Sequence, residues 1–139
     1  MAGKRSVLAL GAVLGAMAIP AQAAVDDELT PTWVKVNICN GTQLGVRAQL
    51  AGDGSSDRMK VRFTAEWLSP GGWKPLSGHP TTRWLDAGSA EFTWSQAGWT
   101  YDLMVPDTGK AYQLRAAVEM KLGSGRTASQ TTGVCTVGG

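Results

Sequence analysis

The sequence predicts an all-β fold, an antiparallel sandwich of about seven to nine strands. Three observations lead there. Short runs alternate apolar with polar residues, the two-residue period of a strand with one covered face. Clusters of Gly, Pro, Asp and Asn separate these runs at near-regular spacing, as turns do in sandwiches and barrels. Two cysteines stand far apart, one near each end of the alternating region.

The first segment is an address. Lys4 and Arg5 precede an uncharged run, Val7 to Ile19, which Pro20 breaks ahead of the small-residue site Ala21-Gln22-Ala23. These are the parts of a secretory signal, so residues 1–23 are expected to be removed. At about 1.5 Å per residue the apolar run makes a helix of roughly 20 Å, short of a bilayer core of about 30 Å. No membrane span is expected after cleavage. Residues 24–31, with Asp26, Asp27 and Glu28, read as a flexible acidic leader, and residues 32–139 as one domain.

The body follows in strands. "WVKVNIC" sets Val34, Val36 and Ile38 on one face, and "LGVRAQL" sets Val46, Ala48 and Leu50 on one face. Asn40-Gly41-Thr42 between them matches a glycosylation acceptor, but a turn after a strand already accounts for it. "AGDGSSD" spaces Asp53, Ser55 and Asp57 like alternate calcium ligands, yet position twelve, where a calcium loop needs Glu, is Thr64. Such residues make turns through their own hydrogen bonds, and no metal is expected.

"RMKVRFTAEWL" alternates most cleanly, with Met59, Val61, Phe63, Ala65 and Trp67 opposite Lys60, Arg62, Thr64 and Glu66. "SAEFTWS" repeats the pattern through Ala90, Phe92 and Trp94. "AYQLRAAVEMKL" places Tyr112, Leu114, Ala116, Val118 and Met120 together. Its composition suits a helix, but its apolar residues keep period two rather than 3.6.

Export predicts that Cys39 and Cys135 form one disulfide, tying the first strand to the last. Closing a loop of that length is worth about 4.7 kcal/mol in the loop-entropy model. Thirteen basic residues face eleven acidic ones, and loss of Lys4 and Arg5 with the signal leaves eleven against eleven. No basic stripe is visible, so a nucleic-acid partner is not expected.

Catalysis is not expected either, because no constellation assembles. His79 is the only histidine and stands in "SGHP", a turn; no G-x-S-x-G motif accompanies it. Trp67 and Trp94 share faces with core residues and read as packing. Trp73, Trp84 and Trp99 are candidate stacking platforms for a ligand; covering the ends of the sandwich is the competing role for them.

"VPDTGKAYQLRAAVE" resembles a run in fibronectin type III domains, where a proline-bearing loop leads to a tyrosine and an alternating strand with Arg. The chain thereby resembles the immunoglobulin and fibronectin type III sandwich class. It is similar also to small secreted bacterial domains with a cysteine near each end. The resemblance implies a structural corner tyrosine at Tyr112, its hydroxyl bonded to nearby backbone. Pro106 and Thr108 stand two residues farther from Tyr112 than the pattern has them. The cysteines also depart from antibody-type domains, whose bridge crosses the two sheets. The function expected is that of a secreted, cell-envelope-associated binding or structural module, without cofactor, recognising a protein or a cell-envelope glycan. The alternative is a small carbohydrate-binding domain using its tryptophans.

Overall fold

The structure, a computed structural model, describes residues 31–139 apart from Ser124. The signal at 1–23 and all of the leader except Pro31 lie outside the described residues. Nine strands are described: β1 (Pro31–Cys39), β2 (Gln43–Ala51), β3 (Arg58–Ser69), β4 (Gly72–Pro75), β5 (Leu85–Ser89), β6 (Trp94–Asp102), β7 (Ala111–Leu122), β8 (Arg126–Thr131) and β9 (Cys135–Gly138). They form two antiparallel sheets, as the alternation predicted. Among the described residues no helix is long and apolar enough to cross a membrane.

The smaller sheet has the order β1-β2-β6. The larger is built on two long strands, β3 and β7, paired from Met59↔Leu122 to Trp67↔Leu114. Two short strands share the outer edge of each: β5 and β4 flank β3, and β8 and β9 flank β7. Both edges have a gap where one short strand ends before the next begins, and a buried threonine fills each one. The Thr82 hydroxyl accepts the Phe63 amide at 3.1 Å and donates to the Arg83 carbonyl; the Thr132 hydroxyl accepts the Ala116 amide at 3.0 Å and donates to the Gly133 carbonyl. Each hydroxyl keeps a buried amide paired that would otherwise cost about 1–3 kcal/mol.

The core lies between the sheets. Leu44, Val46, Ala48 and Leu50 of β2 meet Met59, Val61 and Phe63 of β3 and Val118 and Met120 of β7, all buried. Each large side chain so buried contributes about 1.5–3 kcal/mol.

Two seams close the sandwich. At one, Cys39 of β1 is bonded to Cys135 of β9, with Cα atoms 5.7 Å apart. The predicted pair is therefore present, but the first and last strands do not pair with each other: they belong to different sheets, and the bridge crosses between them. An irregularity in β1 makes this possible. A β-bulge between Val36 and Ile38 shifts the register, so that Ile38 pairs with Gly45 and Cys39 with the buried Leu44. Ile38 thus leaves the face of Val34 and Val36 and covers Gly45, where any Cβ would lie 2.8 Å from the Ile38 side chain. Cys39 takes the side of Leu44 instead and, though itself exposed, reaches the buried Cys135.

At the other seam the buried Tyr101 of β6 donates its hydroxyl to the Pro80 carbonyl at 2.8 Å, linking the smaller sheet to the β4–β5 connection. Burial pushes the Tyr101 phenol well above its usual range.

"SAEFTWS" is not one strand. Ala90 is buried, but a turn follows, leaving Phe92 64 % and Trp94 54 % exposed. The assignment of Trp94 to the core fails because the turn resets the alternation before β6 begins.

Candidate functional site

The outward side chains of β3 and β7 form a tightly paired layer. Register sets Arg62 opposite Glu119 and Glu66 opposite Arg115, and both pairs close, at 2.8 Å and 2.9 Å. Lys60 stands opposite Lys121, a like-charge pair that costs stability unless diverted. Trp84 supplies the diversion: the Lys121 ammonium lies 4.2 Å and the Arg62 guanidinium 4.4 Å from its ring centroid. Trp73, on β4, carries the Arg115 guanidinium at 4.2 Å. Both indoles are half-buried, and each bears a cation on its π face.

Trp99 lies elsewhere. It lies on β6, the edge strand of the smaller sheet, opposite Val46 of β2, with Arg83 5.8 Å from its ring. Both Trp73 and Trp99 are strand residues rather than loop residues. Gly98 beside Trp99 sits in close approach: a Cβ there would lie 3.0 Å from the Val46 carbonyl and 3.3 Å from Arg47, so its neighbours would have to give way. The three candidate stacking residues thus fall into two groups, Trp73 and Trp84 on one sheet and Trp99 on the other.

Tyr112 packs edge-on against Trp67, with ring centroids 6.5 Å apart. Its hydroxyl meets the Thr108 hydroxyl at 2.8 Å, not backbone as the corner-tyrosine reading expected, because the loop carrying Pro106 and Thr108 is two residues longer than that pattern. The bond pins the β6–β7 connection over the end of the sandwich.

Beneath that connection lies a cleft of about 590 Å³. Trp67, Tyr112 and Leu114 line it from the larger sheet, Leu76 from the β4–β5 connection, and Leu103 and Val105 from the β6–β7 connection. Pro75, Pro106, Val137 and the polar Ser77 and Asp102 complete it. Met104 stands at its rim, 98 % exposed. The Leu103 amide is held by the Thr42 carbonyl at 2.8 Å; among the described residues the Met104 and Val105 amides make no backbone hydrogen bond. The cleft therefore offers an apolar floor beside open main-chain donors.

No sequence motif announced it. "LMVP" is an apolar run outside any alternating pattern, and that run was the available signal.

His79 lies exposed on the turn between β4 and β5. In the "AGDGSSD" turn the Asp53 carboxylate accepts the Ser55 amide at 2.9 Å and pairs with Arg126 at 3.1 Å. Its pKa is lowered, mainly by hydrogen bonds from Ser55. Among the described residues no three His, Cys, Asp or Glu side chains converge as metal ligands would. No protein-family model matches the chain, and no curated protein sequence matches it.

Proposed function

We propose that this protein is an extracytoplasmic, non-catalytic binding module that takes an extended apolar segment of a partner protein into the end cleft. The observation that carries the reading is Met104, fully exposed at the rim of an apolar cleft on a stretch with open amides. A flexible thioether adapts to varied apolar partners. Open amides can donate to the carbonyls of a strand laid beside them, while the pocket below takes alternate side chains. Recognition of this kind needs no cofactor.

The signal-like segment before the domain and the disulfide support export to an oxidising, cell-envelope environment. The sandwich and Tyr112 support a likeness to the immunoglobulin and fibronectin type III class. Sugar stacking on Trp73 or Trp84 has less support, because a ring landing there must displace the cation already seated on the indole.

The test is selection of peptides from a random displayed library on the mature domain. Apolar, extended peptides should be enriched, and Met104→Asp should weaken their binding by tenfold or more without shifting the unfolding midpoint. Enrichment that Met104→Asp leaves unchanged would place any binding elsewhere.

A further inference from the structure

The outer face of the smaller sheet is unlike that of the larger one. Three neighbouring rows cross it. Ala51 stands opposite Trp94; Trp33 is opposite Gln49, which is opposite Gln96; Lys35 is opposite Arg47, which is opposite Gly98. The Gln96 amide donates to the Gln49 carbonyl oxygen at 2.9 Å, so two side-chain amides form a bar between two indoles. Trp94 is 54 % exposed, and Trp33 is half-buried with the Lys35 ammonium 4.5 Å from its ring. Strand spacing and rise put the two tryptophan backbones about 12 Å apart.

Charge on this patch has one sign. Among the described residues neither Lys35 nor Arg47 makes an ion pair. No carboxylate stands in the three rows; Asp102 lies four residues farther along β6, about 14 Å away. In the adjoining loops Asp53 is held by Ser55 and Arg126, and Glu91 by Ser89. Trp73 and Trp84 carry cations that are also matched or crowded on their own face, whereas Trp94 presents its indole to solvent.

We propose that this face binds an acidic polysaccharide, independently of the end cleft. Each part of the patch matches one part of such a chain. The C–H face of a sugar ring stacks on the electron-rich face of Trp94, whose indole carries no cation among the described residues, while Trp33 holds the Lys35 ammonium beside it. The Gln96 amide, both donor and acceptor, suits a ring hydroxyl. Lys35 and Arg47 suit a carboxylate on the ring, Arg47 through its planar fork. Single-stranded nucleic acid would also offer rings and negative charge. It needs a track of cations along its phosphates, and this face has only two.

Affinity electrophoresis of the mature protein tests the proposal, with polygalacturonate, neutral dextran or oligo(dT) in the gel. Retardation is expected with polygalacturonate alone, weakening as salt is raised. Trp94→Ala should weaken it about tenfold, as loss of a stacking contact does, and Arg47→Gln should weaken it and reduce its salt dependence. Trp73→Ala should leave it unchanged. Because Trp94 and Arg47 are exposed, an unshifted melting curve confirms that each variant is folded. Absent retardation, equal retardation by dextran, stronger retardation by oligo(dT), or indifference to Trp94→Ala would each overturn the proposal.

Discussion

The two seams of the sandwich join the same two sheets by different chemistry. On one side a covalent bond ties β1 to β9; on the other a single phenol ties β6 to the Pro80 carbonyl. The covalent seam acts chiefly on the unfolded chain, whose freedom it restricts. The hydrogen-bonded seam acts only in the folded state, and only while the phenol keeps its proton. The residues that follow directly on the second seam, Asp102 to Val105, line the end cleft, as does Leu76 from the connection that carries Pro80. The proposed recognition site therefore borders the seam that can yield, and through Leu114 and Val137 it also reaches β9 beside the covalent one.

The largest effect should come from cutting the covalent seam. Cys39→Ser is expected to cost about 2–5 kcal/mol and lower the unfolding midpoint by on the order of 10 °C. An unchanged midpoint under oxidising conditions would show the bridge to be energetically idle and erase the contrast between the seams.

Tyr101→Phe should cost less, about 0.5–1.5 kcal/mol, since it removes one hydrogen bond while the Pro80 carbonyl keeps the Ala65 amide as donor. The same residue gives a pH signature. Its folded pKa is raised above the ordinary value of 10.0, so its contribution is complete below pH 10 and is lost as pH climbs above that value, where the unfolded chain ionises first. Alkaline melting curves should therefore fall more steeply for the native protein than for Tyr101→Phe. Parallel curves would remove the phenol from the seam.

The smallest effect should come from a site on neither seam. Arg58 and Asp86 pair at 2.6 Å across β3 and β5 with both side chains more than half exposed. Arg58→Ala is expected to cost less than about 1 kcal/mol, and salt should diminish that cost further. The Asp86 pKa is lowered, first by the Arg58 hydrogen bond and then by the Gly88 amide. This contribution is present above pH 3.8 and fades as pH falls through the depressed value. A cost in Arg58→Ala matching that of Tyr101→Phe would mean that surface pairs and seams weigh alike.

Legibility in the sequence followed how completely each strand is covered. β3 and β7 were readable because each has neighbours on both edges and one buried face, and selection for packing kept their alternation clean. β1 was readable up to Val36. Beyond it the bulge is dictated by where Cys39 must point, a requirement that β9 imposes from the far end of the chain. β6 was missed: a turn hides inside an apparent alternation, and Gly98 looks like a loop residue until the backbone packed against it is known.

The same logic governs the sites. Trp73 and Trp84 were noticed as tryptophans, but only the cross-strand register reveals the guanidinium and ammonium groups resting on them. The end cleft draws residues from β3, β4, β6, β7, β9 and two connections, so no local window of sequence contains it. In the sequence Trp33 is marked only by a parity opposite to that of Val34. Its companions Gln49, Gln96 and Trp94 joined it only through pairing.

Cys39 emerges during synthesis 96 positions before its partner. Throughout that interval it is an unmated thiol, and any chain broken off between the two cysteines keeps it so for good. A finished molecule has no free thiol, while an unfinished one keeps a thiol that can form mixed disulfides. The placement of two sulfur atoms thereby makes whole copies and fragments chemically distinguishable, with no dedicated sensor required.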